Sequence, residues 1–172
     1  GRIAHGERHR AMLAAYGFGL FPLPAYREAA RGRWRVVRHG PATVVGYASG
    51  PVLEPCRHVL YDGRRPWMST SLLERESHAF HVDRARGAVV VAGLGMAMYA
   101  YAVARKPEVE RVVVVERAPE VIGLVSEAAG LRSWPDRDKV TILEADALGP
   151  DLAARVDAAL AGRRASWLYA DI

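Results

Sequence analysis

The chain has 172 residues, 51% hydrophobic and 25% charged, with a net charge of +5. That balance is one of an ordinary soluble globular chain, long enough for one domain, or one domain with a small appendage. No apolar run reaches membrane-spanning length and no signal peptide is visible. All but two of the 24 basic residues are arginine, the exceptions being Lys106 and Lys139. The arginines are scattered rather than gathered into a run, which argues against a nucleic-acid footprint. Cys56 is the single cysteine, so an intrachain disulfide is excluded and a reducing cytoplasm is the expected setting. The absence of an initiator Met and the abrupt end at Ile172 lead us to expect a piece of a longer chain.

In chain order, residues 5 to 15 have helical spacing, with Met12, Leu13 and Tyr16 able to share a face. Gly17 to Pro24 mixes glycines and prolines with aromatics and reads as an ordered loop. Ala25 to Arg31 is predicted to be a second short helix. From Trp34 to Asp62 the pattern turns to β, with strands expected at Arg35–Arg38, Thr43–Tyr47 and His58–Tyr61 between Gly- and Pro-bearing turns. Ser69 or Thr70 is placed to cap a helix running to about Val82. On that helix His78 and His81 stand three residues apart. No third ligand is evident, so they are read as a solvated or capping pair and no metal is expected. Cys56 and His58 alternate on one strand and are read as strand packing.

Ala88 to Val91 is an all-apolar run of the kind found in a parallel strand covered on both faces. Gly93-Leu94-Gly95 turns the chain, Met96 to Arg105 is predicted helical, and Arg111 to Val115 is a second buried strand ending on Glu116. Glycines at such a turn permit positive φ and close approach of a ligand to the backbone. The helix start offers free N–H groups. An acid about twenty residues further on can accept both hydroxyls of a ribose. The dinucleotide spacing G-x-G-x-x-G would need a glycine at position 98, which is Met98. The spacing G-x-G-x-G needs a small residue at position 97, which is Ala97.

This stretch resembles the class I S-adenosylmethionine-dependent methyltransferases and the related aminopropyltransferases such as spermidine synthase. A β-hairpin ending in Asp62-Gly63, an acid-rich helix and then the glycine strand follow the aminopropyltransferase order of elements. Those enzymes hold their amine substrate with a glutamine and a Tyr-His/Gln-Glu cluster. This chain has Glu74, Glu76 and His78 there but no glutamine anywhere. Methyltransferases usually carry an acid two residues before the first glycine, where this chain has Val91; aminopropyltransferases often lack it.

Beyond Glu116, Pro119 suits the first turn of a helix whose buried stripe is Val121, Ile122, Leu124 and Val125, ending near Gly130. A loop with Trp134-Pro135 follows, then a third strand over Lys139–Leu143, a helix over Leu152–Leu160 ended by Gly162, and a fourth strand over Ser166–Ala170. The expected fold is therefore α/β: a Rossmann-like methyltransferase sheet of strand order 3-2-1-4, its C-terminal strands missing, over residues 63–172, with a helical and small β appendage over 1–62.

The resemblance implies a cofactor, S-adenosylmethionine or its decarboxylated form, held by Gly93, Leu94, Gly95, Ala97, Glu116, Arg117, Asp146 and Ala147. Asp146 would accept from the adenine amino group, and the N–H of Ala147 would meet a ring nitrogen. Asp171, closing the fourth strand, would lie beside the reactive end and take the proton of an amine nucleophile. The acceptor is expected to be a small molecule, and a homodimer is compatible with the open sheet edge. Three further functions share these features: aminopropyl transfer, a non-catalytic binding or scaffold module using the aromatic loop Tyr16–Tyr26, and an NAD-dependent oxidoreductase, against which Met98 speaks.

Overall fold

The computed structural model describes residues 2–48 and 50–170. Helix α1 (Arg2–Tyr16) covers the first periodic stretch. Of the three apolar residues expected to share a face, only Met12 is buried; Leu13 and Tyr16 are 49% and 54% exposed. The chain then runs irregularly to residue 28.

The helix expected over Ala25–Arg31 is absent, and that segment instead enters strand β1 (Ala29–Arg31). Its alanines favour a helix, but long-range bonds override them. The Arg27 N–H donates to Ala128 O at 2.9 Å, far along the chain. Gly32, at φ +57°, then turns the chain back into β2 (Trp34–His39), with Arg31 opposite Trp34.

Strands β3 (Ala42–Val45) and β4 (Pro51–Glu54) form a separate hairpin. Strands β5 (Arg57–Asp62) and β6 (Arg65–Ser69) complete an antiparallel sheet of order β1-β2-β5-β6. Neither β4 nor β6 is foreseen from the residue pattern. Because β6 carries the small sheet on to Ser69, position 62 falls at a hairpin tip with both arms in one sheet.

Helix α2 (Leu72–Arg84) is capped by Ser71, whose hydroxyl accepts from Glu74 N at 3.5 Å. The two caps proposed from sequence are engaged elsewhere. Thr70 Oγ1 accepts from His58 N at 3.0 Å, and Ser69 Oγ donates to Glu74 Oε1 at 3.0 Å.

The larger sheet contains β7 (Gly87–Ala92), β8 (Val109–Glu116), β9 (Val140–Glu144) and β10 (Ala165–Ala170). All pairings are parallel and the order is β10-β7-β8-β9, which is 3-2-1-4 counted from β7. Helices α3 (Met98–Ala104), α4 (Pro119–Ala128) and α5 (Leu152–Leu160) make the crossovers. The protein is thus α/β, with a parallel sheet and antiparallel companions. Val89, Val91, Val112 and Val114 face a core shared with α2, α3, α4 and the small sheet. Ala88, Val90 and Val113 face the other way, under Leu160 of α5. This two-sided burial is why the strands read as unbroken apolar runs. Helix α5 closes at Ala161, with φ +52°, one residue before the expected Gly162. Among the described residues, no helix is long and apolar enough to cross a membrane.

The two lysines have a shared role. Lys106 Nζ donates to Val82 O at 2.7 Å, Asp83 O at 2.7 Å and Ala85 O at 2.6 Å, closing the end of α2. Lys139 Nζ donates to Ala104 O at 3.0 Å and Lys106 O at 3.1 Å, closing α3. Each places a cation where a helix leaves its carbonyls unpaired.

Candidate functional site

Parallel strands bring their C-terminal ends to one edge of the sheet, and the predicted residues that follow β7, β8 and β9 lie there. After β7 the backbone turns through Gly93 at φ +94° and Gly95 at φ +54°, conformations that side-chain-bearing residues rarely adopt. The Gly93 N–H donates to Val115 O at 2.8 Å and the Ala97 N–H to Leu94 O at 2.8 Å. Ala97 is itself left-handed, at φ +60°, so α3 starts at Met98 rather than at Met96. A methyl is the only side chain at this third position, and Ala97 is buried to 3% exposure.

Glu116 closes β8 and reaches back to the turn. Its Oε2 accepts from Leu94 N at 3.1 Å and its Oε1 from Ala118 N at 3.0 Å. A carboxylate has about four lone-pair sites, so acceptor capacity remains for a vicinal diol. The Glu116 carbonyl accepts from Ala145 N at 3.0 Å, which draws the turn after β9 to the same edge. There Asp146 Oδ1 accepts from Leu148 N at 2.9 Å. Arg117, Asp146 and Ala147 are exposed, Gly93 and Glu116 half-buried, and Leu94 and Gly95 buried. Ala170 of β10 lies opposite Ala92 of β7. Asp171 lies outside the described residues.

One residue at this edge was not foreseen from sequence. Tyr26, in the irregular segment after α1, donates its phenol to Met96 O inside the glycine turn. Burial pushes the Tyr26 phenol well above its ordinary range, and Glu74 adds to this while Arg75 opposes it. The hydroxyl therefore stays protonated and able to donate. Tyr26 also packs on His58, ring centroids 5.4 Å apart. Phe18, from the same segment, meets Phe80 edge-on at 5.7 Å. Leu20 and Phe21 are each 4% exposed and Phe18 and Tyr26 half-buried, so the loop turns these side chains inward while Tyr16 at its start stays exposed. No local signal distinguishes Tyr26 from its aromatic neighbours, because its partner is 70 residues away.

The acids and histidines of α2 are also committed. Glu74 accepts from Ser69 N at 3.0 and 3.1 Å, and Glu76 Oε2 from Ala48 N at 2.6 Å. Burial raises the Glu74 carboxyl, with the Ser69 bonds opposing. The reading of His78 and His81 as a solvated or capping pair is corrected. His78 is 4% exposed, and its Nδ1 bonds the Tyr169 hydroxyl of β10. His81 lies 4.9 Å from the Tyr169 ring, and Tyr99 stacks on Tyr169 at 4.1 Å. Burial first, then the neighbouring His81, pushes the His78 imidazole down to about 4. Among the described residues, no three His, Cys, Asp or Glu are grouped to hold a metal ion.

No protein-family model matches the chain, and no curated protein matches it.

Proposed function

We propose that this edge binds S-adenosylmethionine and that the chain serves transfer of its methyl group to a small-molecule acceptor. The observation that carries the reading is the Glu116 carboxylate bonded to Leu94 N in the glycine turn. One contact unites the acid suited to a ribose with the bare backbone suited to the rest of the ligand. The order β10-β7-β8-β9, all parallel, supports a Rossmann-like methyltransferase sheet. In this reading Gly93, Leu94, Gly95 and Ala97 follow the methionine portion, Glu116 with the Arg117 backbone holds the ribose, and Asp146 with Ala147 N–H holds the adenine.

When bound, the cofactor supplies a methyl group made electrophilic by a sulfonium. The chain's residues then have to align a nucleophile and keep water out, since little acid chemistry is needed. Asp171, next after the strand that pairs with β7, is the proposed base for an amine acceptor. Decarboxylated S-adenosylmethionine and aminopropyl transfer form the nearest alternative. The chain lacks the glutamine of that branch, and Glu74 and Glu76 are spent on backbone N–H groups of Ser69 and Ala48. A nicotinamide cofactor is disfavoured by Met98, 3% exposed at the place of the third glycine. A non-catalytic binding module draws support from Val91, a buried apolar residue where many methyltransferases have an acid.

Calorimetric titration with S-adenosylmethionine, its decarboxylated form and NAD tests this. Micromolar binding of S-adenosylmethionine, weakened at least tenfold in Glu116→Ala, is the expected result, each lost charge-assisted bond being worth about tenfold or more. Tighter binding of the decarboxylated form would select aminopropyl transfer. Absence of heat with both sulfonium ligands would overturn the transferase reading.

A further inference from the structure

A cavity of about 990 Å³ lies between α4 and the segments that precede β1 and β9. Three distant stretches wall it: residues 24–31, the outer side of α4, and residues 130–137 that lead into β9. Arg27, Arg31, Arg132 and Arg137 line it, against the single carboxylate of Glu127. That one acid is shared by two guanidiniums, Arg27 at 3.5 Å and Arg31 at 3.6 Å. The lining therefore keeps an excess of positive charge.

Two details bear on how Arg31 and Arg137 lie. Helix α4 carries a glycine, Gly123, in its interior, where glycine weakens a helix. A Cβ built at this position would run into Arg31 Nη1, so the missing side chain lets the guanidinium lie against the helix. Arg137 is oriented by its own Nη1, which donates to Val140 O at 2.6 Å. The floor is aromatic. Tyr101 meets Trp134 edge-on at 5.0 Å, and Trp134 is held by its Nε1–H donating to Ala129 O at 2.8 Å.

We propose that this cleft binds a phosphorylated small molecule of nucleotide size. Planar guanidiniums match phosphate oxygens in pairs, and Tyr101, half-buried beside Trp134, offers an apolar contact next to them. The volume falls within the usual range for small-molecule sites. None of the residues proposed to hold S-adenosylmethionine lines this cleft, so the proposal does not rest on that reading.

The test is titration of the whole chain with pyrophosphate and with ATP in phosphate-free, low-salt buffer. ATP should bind, and more tightly than pyrophosphate because it also reaches the floor. Combining Arg31→Glu with Arg132→Glu should weaken ATP by about a hundredfold. Gly123→Ala keeps every charge and favours the helix, so it should weaken ATP several-fold without lowering thermal stability. S-adenosylmethionine should not displace ATP. No heat with either phosphate ligand at millimolar concentration would overturn the proposal, as would unchanged ATP affinity in these variants or displacement by S-adenosylmethionine. A twelve-nucleotide single-stranded RNA binding more tightly than ATP, with a steep salt dependence, would replace the small-molecule site by a nucleic-acid surface.

Discussion

Lys106 shows what a lysine does at a position when arginine serves almost everywhere else. Its ammonium sits among Val82 O, Asp83 O and Ala85 O, all within 2.7 Å. Three convergent carbonyls suit a compact charge with three rotatable donors; a planar guanidinium fork cannot point its N–H groups at them together. Lys106→Met should cost about 2–3 kcal/mol, the worth of a charged hydrogen-bonding group lost with its partners left in place. Lys106→Arg should recover less than half of that. Urea unfolding of the three proteins measures it, and full recovery by arginine would show that charge alone is what matters there.

At the scale of elements, the segment between α1 and β1 straps the glycine turn to the small sheet. Tyr26 is its fastening: the phenol holds Met96 O and the ring packs on His58. The two contributions can be separated. Tyr26→Phe removes only the hydrogen bond and should cost about 1 kcal/mol, with faster amide exchange at Gly95, Met96 and Ala97. Tyr26→Ala also leaves a cavity and should cost about 3–5 kcal/mol. Equal losses in both variants would mean that the ring contributes nothing to the strap. The same segment explains the failed helix at Ala25–Arg31: a helix there would point Tyr26 and Arg27 away from Met96 and Ala128.

For the whole molecule, the junction of α2, α3 and β10 makes stability depend on acid. His78 is buried against Tyr169 and Tyr99, beside His81, and its imidazole is pushed down to about 4. In the unfolded chain it takes a proton near its ordinary value, about 6.5. The unfolded state therefore gains protons over a range where the folded state does not. Stability is full above about pH 6.5 and falls as the pH drops towards 4, by about 3 kcal/mol in all. His78→Gln cannot take the proton and should flatten that fall; denaturant midpoints at pH 7.5 and 4.5 provide the comparison. A variant with the same acid dependence as the parent would assign the loss to other groups.

What the sequence by itself determined is whatever a local pattern encodes. The valine runs of β7 and β8 are legible because burial on both faces removes polar alternation. Gly93, Gly95 and Glu116 are legible because a tight turn and an acid at the next strand end need particular residues at a set spacing. Pro119 marks the start of α4 for the same local reason. Tertiary structure alone decided that Ala29–Arg31 is a strand, since its partner Trp34–Val36 and the bond to Ala128 outweigh a weak helix preference. It also decided that His78 is buried, that Tyr26 closes over Met96, and that both lysines end helices. The contacts of His78, Tyr26 and the two lysines join residues 21 to 91 apart. Spacing along the chain carries no trace of such contacts, because they form only when the sheet brings the distant segments together.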